Sequence, residues 1–286
     1  MTLNIRTNIE SLHSQRDLNA VGDKLRTSYA RLSSGLRITR AADDAAGLAI
    51  AESLRSDAKI ASVAIRNAND GISIIGITDG AVSQTTSILQ RMAELAEQSA
   101  NGVYSTSQRS ALQSEFVALG SEIQRISETT TFNGISLLAG GTNVTLQVGF
   151  NAQSNAQITY TGITATLSAL GLADANKVLS YALNADTPEL AQAAARSALD
   201  AVNAAISSIG TSRGTLGAAE SRLNIAIENL GILRENFTSA ESRIRDVDVA
   251  AEAAELTRLQ ILQQAATAIT AQANQQPQQA LTLLQG

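Results

Sequence analysis

The chain has 286 residues, a formal net charge of −5 and no cysteine. Disulfide staples, thiolate zinc sites and thiol catalysis are therefore excluded, and the scattered Lys and Arg give none of the basic footprint that a nucleic-acid or anionic-membrane partner requires. The hydrophobic share is 44% but aromatics make up only 3%, so it leans on alanine, too small to fill a thick globular interior and suited to long, thin helices.

From Ile5 the large apolar residues Ile9, Leu12, Leu18, Val21, Leu25 and Leu32 follow mostly in steps of three, four or seven, one stripe of a first helix. Ser33-Ser34-Gly35 supplies its stop, and Asp43-Asp44 restarts a helix with acids in the first turn, where the macrodipole favours them. Leu54, Ala61, Ala68, Ile75, Val82, Leu89 and Ala96 then repeat every seven residues with no proline between, which predicts one continuous helix to about Gln98. Asn101-Gly102 breaks it. Leu112, Phe116, Leu119, Ile123 and Ile126 predict a shorter helix folded back on the first, and Asn133-Gly134 and Gly140-Gly141 end this half.

Over residues 143–161 the period changes. Val144, Leu146, Val148 and Phe150 alternate with polar residues, as do Ile158 and Tyr160 after a turn-rich stretch, which predicts a β-hairpin. Residues 162–185 carry no legible pattern. Thr187-Pro188-Glu189 is a helix start. Beyond it Val202, Ile209, Leu216, Leu223, Leu230, Phe237 and Ile244 sit every seven residues, with Ala205, Ser212, Ala219, Ala226, Leu233, Ala240 and Val247 three after each. This unbroken heptad seam predicts a rod on the order of 70 Å long at ~1.5 Å per residue. A last segment carries Leu256, Leu259, Ala266, Ile269 and Ala273 and runs into a Gln-rich tail whose stripe allows a helix inside an assembly. The fold class is thus mainly all-α, a long antiparallel helical rod or coiled-coil bundle with one small β-hairpin.

No run of about 18 apolar residues predicts a membrane span, and the first residues lack the basic and apolar segments of a Sec leader. The one histidine, His13, precedes Asp17 by four residues, but no second histidine or cysteine could complete a metal or nucleophilic site, so it reads as a solvated or interface helix position. Gly140-Gly141 lacks the Lys-Ser or Lys-Thr of a phosphate loop and is a turn. No constellation points to an enzyme, a cofactor or a metal. A lone terminal helix with one apolar stripe is marginal by itself. The candidate subunit-interface residues are therefore Ile5, Ile9, Leu12, Leu18, Val21, Leu25 and Leu32 on the first helix and Leu256, Leu259, Ala266, Ile269 and Ala273 on the last.

Several local strings are more specific than these patterns. RLSSGLRITRAADDAAGLAIAE (Arg31 to Glu52), LQRMAELAEQSANG (Leu89 to Gly102), TTFNGISLLAG (Thr130 to Gly140), SRIRDVDVAAE (Ser242 to Glu252) and LQQAATAITAQANQQPQQALTLL (Leu262 to Leu284) resemble the bacterial flagellins, in family order, over about residues 1–150 and 190–284. The resemblance implies a filament subunit, secreted by flagellar type III export into an extracellular homopolymer, with an export chaperone, cap protein and hook-filament junction proteins as partners. It divides the chain into an inner filament-core domain (1–42 and 248–286), a helical rod domain (43–140 and 187–247) and a short region with the hairpin (141–186). It also implies that Arg91, Leu95 and Glu115 match the positions that the vertebrate toll-like receptor for flagellin recognises. A hook-filament junction protein shares similar terminal helices, but the C-terminal match favours the filament subunit. A cytoplasmic signalling coiled coil would need neither the connector at 35–43 nor the hairpin.

Overall fold

Side-chain caps decide where the helices begin. The computed structural model describes residues 7–174 and 176–285, and its elements run α1 (Ile9–Ser34), α2 (Ala45–Ala100), α3 (Thr106–Thr129), β1 (Thr131–Phe132), β2 (Ile135–Ser136), β3 (Val144–Gln147), β4 (Gln157–Tyr160), α4 (Pro188–Arg245) and α5 (Val249–Gln285). The Asn8 side chain accepts the Ser11 N–H to open α1, and Gly35 closes it in the left-handed region at φ 72°, donating its N–H to Arg31 O, a conformation that favours glycine. Ser105 and Gln108 form a reciprocal capping box on α3. Thr187 Oγ1 accepts the Leu190 N–H ahead of α4, and Asp248 Oδ1 takes the Ala250 and Ala251 N–H groups at the start of α5. The acids expected in the first turn of α2 sit just before it instead. Asp44 Oδ1 accepts the Gly47 N–H at 2.9 Å as the cap, while Asp43 turns back to tie the connector.

The chain divides into two compact units, residues 59–234 and residues 1–58 with 235–286. In the first, the predicted seams are the core: Ala61, Ala68, Ile75, Val82, Leu89 and Ala96 of α2 are buried, as are Val202, Ile209, Leu216, Leu223 and Leu230 of α4. Two cross-helix approaches fix an antiparallel register. A Cβ on Gly71 would lie 3.2 Å from Leu223 Cδ1, and Arg213 grips Asp79 with both branches at 2.7 and 3.0 Å. The same Cβ would meet Leu146 Cδ1 at 2.1 Å, so glycine at 71 is what lets β3 lie against the α2 backbone. Arg109 is 1% exposed. Its guanidinium donates to the carbonyls of Ser99, Asn101 (2.9 Å) and Tyr104 (3.2 Å), placing a cation on the unpaired carbonyls and negative dipole end of α2.

The hairpin pairs Val144↔Tyr160 and Leu146↔Ile158 antiparallel. The alternation predicted to Phe150 ends at Gln147, whose side-chain amide reaches over the turn to Asn151 O at 2.6 Å. Asn133 and Gly134, with φ 48° and 79°, are the central pair of a second two-residue hairpin joining β1 to β2, the geometry that Asn-Gly favours. Residues 162–185 supply the buried Ile163, Ala165, Leu167, Leu170, Leu172 and Leu183 to the same core. Two glutamines of α3 anchor this segment as a sheet partner would: Gln124 Oε1 accepts the Leu167 N–H at 3.2 Å and Gln113 Oε1 accepts that of Leu183.

In the other unit α1 and α5 pair antiparallel, through Asn8 Nδ2 to Ala273 O at 2.7 Å at one end and Arg31 to Glu252 at 4.0 Å near the other. The two helix junctions are clasped together. Arg37 N–H donates to Arg245 O at 2.6 Å, Val247 N–H to Gly35 O at 3.0 Å and the Arg37 guanidinium to Ile244 O at 2.6 Å.

Adjacent positions on α4 test the seam. Leu223 is fully buried and Asn224 is exposed. Leu223→Asp is expected to lower unfolding stability by about 3 kcal/mol or more, because it buries an unpaired charge, and Asn224→Asp to change it by about 0.5 kcal/mol or less. Parallel urea melts read both.

Candidate interaction surfaces

The α1–α5 pair covers only part of its apolar side chains. Leu25, Leu259 and Ala273 are buried, and Leu18, Val21, Leu32, Leu256 and Ala266 are half-buried. Ile9, Leu12 and Ile269 stand 51%, 58% and 58% exposed. Ile5 lies outside the described residues. Ile269 is one helical turn from Ala273, to whose carbonyl Asn8 is bonded, so these three exposed residues gather at one end of the pair. Val249, Ile261 and Leu262 are also large, apolar and exposed. Val249 and Leu262 fall at stripe spacing, seven before Leu256 and three after Leu259, while Ile261 lies off it; none of the three is among the interface residues singled out in the sequence.

Between the stripes the helices are joined by uncharged hydrogen bonds. Ser11 Oγ donates to Asn274 Oδ1 at 2.6 Å and Gln260 Nε2 to the Tyr29 hydroxyl at 3.0 Å. Asn274 belongs to the Gln-rich stretch, whose composition alone reads as low complexity, and its amide finds a partner only once α1 lies alongside.

Arg91 and Glu115, on α2 and α3, meet across the hairpin of helices. Arg91 Nε donates to Glu115 Oε1 at 2.9 Å and Arg91 Nη1 to Glu94 Oε2 at 3.0 Å. The carboxylates of Glu94 first and Glu115 second raise the guanidinium pKa further, so its charge is constant at every working pH. Both partners are about half exposed. Leu95 is not beside them on the surface; it is fully buried with Met92 and Phe116 in the core. Of the three positions singled out in the sequence, only Arg91 and Glu115 present accessible atoms, since Leu95 shares its helix with Arg91 but falls on the seam side.

His13 is exposed and its Nδ1 accepts from Arg16 Nη2 at 3.1 Å. Its neighbour is thus a cation, and the His13–Asp17 spacing does not make a pair. Among the described residues no three His, Cys, Asp or Glu side chains converge as metal ligands, and no helix is long and apolar enough to cross a membrane.

The family described as bacterial flagellin N-terminal helical region matches residues 5–143, and that described as bacterial flagellin C-terminal helical region matches 199–284. A flagellin of Halalkalibacterium halodurans is 42% identical over 281 residues, 98% of this chain and 99% of the relative. The flagellar filament 33 kDa core protein of Treponema phagedenis is 40% identical, with 98% and 99% covered. The flagellin of Bacillus subtilis is 38% identical, with 99% and 100% covered. Among solved structures, a protein of Vibrio parahaemolyticus assigned as flagellar hook-associated superposes with a TM-score of 0.59 over 71% of this chain and 100% of that one, at 11% identity. That likeness speaks to fold alone.

The connector between α1 and α2 offers a pH test. Asp43 Oδ2 accepts the Thr39 N–H, the Thr39 hydroxyl and the Arg40 N–H, each at 3.0 Å, and the two backbone donors, then the hydroxyl, hold its carboxyl below the usual carboxylate range. A folded pKa below the unfolded one stabilises the connector above the unfolded value and is lost as pH falls through the folded one. Amide exchange by NMR should show Thr39 and Arg40 protected at neutral pH and losing protection below about pH 4. Asp43→Asn should remove both the protection and its pH dependence.

Proposed function

The chain belongs to the bacterial flagellin family, and from that premise we infer that it is a structural subunit of the flagellar filament, exported from the cell and polymerised there. The carrying observation is the full-length match to flagellins and to a filament core protein. The uncovered apolar side chains of the α1–α5 pair add to it, because a filament supplies the neighbours that a free subunit lacks. In this reading residues 1–42 and 248–286 form the filament core, 43–140 and 187–247 the helical domain outside it, and 141–186 a short variable region. With so short a region between its two halves, the subunit would present little outer domain. An export chaperone, a cap protein and the hook-filament junction proteins are the partners such a subunit meets. A junction protein itself is the second reading, and relatives at 38–42% identity named as flagellins or filament protein favour the subunit over it.

Recognition by the vertebrate toll-like receptor for flagellin would centre on Arg91 and Glu115, with Leu95 supporting the Arg91 helix from the core. Their mutual ion pair is half exposed and so of small worth to the fold, which leaves both side chains free to exchange partners.

Two measurements separate these roles. Leu12→Asp with Ile269→Asp, both at exposed positions, should leave the melt of the monomer within about 1 kcal/mol of wild type yet prevent seeded filament growth seen by electron microscopy. Normal filaments from this variant would remove the terminal pair as the assembly surface. Arg91→Ala should alter monomer stability by about 0.5 kcal/mol or less and weaken receptor binding by about 2 kcal/mol if the patch is central. Unchanged potency in a cell reporter assay would place recognition elsewhere.

A further inference from the structure

The chain contains two Asn-Gly pairs, Asn101-Gly102 and Asn133-Gly134, and the structure sets them in opposite chemical circumstances. We propose that Asn101 is a built-in site of spontaneous deamidation, converting to aspartate and isoaspartate in the folded protein, while Asn133 is protected by its turn.

Deamidation begins when the nitrogen of the following residue loses its proton to solvent and attacks the side-chain Cγ. The new N–Cγ bond closes a five-membered succinimide, and the Cγ–Nδ2 bond breaks to release ammonia. Water then opens the ring at either carbonyl, giving aspartate or isoaspartate. The net change is one water consumed and one ammonia released. Glycine after the asparagine removes the steric barrier to the attack.

Three features of Asn101 assist each part of that step. Its Oδ1 accepts the Val103 N–H at 3.2 Å, so the side chain loops forward over the Gly102 nitrogen. The same N–H points at the oxygen on which negative charge grows as Cγ is attacked, the arrangement of an oxyanion hole. Its main-chain carbonyl accepts from Arg109 Nη2 at 2.9 Å, and a fixed cation there draws electron density from the peptide and makes the Gly102 N–H easier to deprotonate. Asn101, Gly102 and Val103 are all exposed, so solvent base and water reach the site. Asn133 is exposed too, but it is held at φ 48° between the pairs Phe132↔Ile135 and Thr131↔Ser136. Bringing its Cγ to the Gly134 nitrogen requires leaving the left-handed turn and breaking those pairs.

The consequence is local. Isoaspartate lengthens the main chain by one carbon at the carbonyl that Arg109 holds, at the end of α2.

Both sites lie in one molecule, so each is the other's control. The full-length protein is incubated at mildly alkaline pH, folded or in urea, and peptide mass spectrometry follows the replacement of NH2 by OH at each site, with heavy-oxygen water marking conversions made during the incubation. In the folded protein Asn101 is expected to convert at least about tenfold faster than Asn133, the ratio that a ~1.4 kcal/mol difference in reaching the reactive geometry produces. In urea the two rates should converge. Equal rates in the folded protein, or faster conversion of Asn133, overturn the proposal, as does a preference for Asn101 that persists in urea.

Discussion

The antiparallel register of α2 against α4 is the constraint on which residues 59–234 depend. It is set where Gly71 faces Leu223 and Asp79 meets Arg213, and small seam residues such as Ala61, Ala64, Ala68 and Gly71 on α2 and Ala205 and Ala219 on α4 alternate with large ones. Small residues make room for the large ones, and the large side chains of both seams are buried in one core. Of the energetic terms present, this burial outweighs the ion pairs. A fully buried leucine contributes roughly 1.5–3 kcal/mol, whereas exposed pairs such as Asp79–Arg213 contribute about 1 kcal/mol or less. The pair selects register; the seam supplies the stability.

Once that register holds, the remaining parts have somewhere to attach. The α2 C-terminus is finished by Arg109, a buried cation whose partners are all backbone carbonyls. It needs no carboxylate, since unpaired carbonyls at a helix end already carry partial negative charge. The segment 162–185 attaches through Gln113 and Gln124, eleven residues apart and so on one face of α3. These amides satisfy main-chain groups that would otherwise be buried unpaired.

The terminal helices obey a different logic. Their junctions are clasped by the main-chain bonds Arg37 to Arg245 and Val247 to Gly35 and by the Arg37 guanidinium on Ile244 O, so α1 and α5 leave the clasp side by side. The pair then buries Leu25, Leu259 and Ala273 while Ile9, Leu12 and Ile269 remain in solvent. A two-helix layer cannot cover an apolar stripe on more than one side. Among flagellins, whose subunits assemble, that is the expected state of a free chain, with the missing layer coming from other copies.

Reading the sequence alone recovered whatever depends on local period and local caps. The heptads of α2 and α4, the left-handed stop at Gly35, the start at Thr187-Pro188 and the strand alternation around Leu146 and Ile158 are all properties of neighbouring residues, and each has a physical signature in the order of side chains. The family was legible for a related reason, since its strings are runs of neighbouring residues on the helices, the connector and the β1–β2 turn. Tertiary structure alone decided the rest. Residues 162–185 have no period because those described form neither helix nor ladder: their main chain is satisfied by irregular local turns and, at Leu167 and Leu183, by glutamine side chains more than forty residues away. Arg109 reads as an ordinary helix-surface arginine until the α2 terminus is placed beside it. Leu95 shares a helix face with Arg91 by spacing, yet it is buried in the core. Asp43 and Asp44 read as one acidic start but divide into a loop staple and a cap, because only the folded connector brings the Thr39 and Arg40 amides within reach of the first. Each of these rests on a contact between segments distant in the chain or on the path of a connector, and a one-dimensional pattern encodes neither.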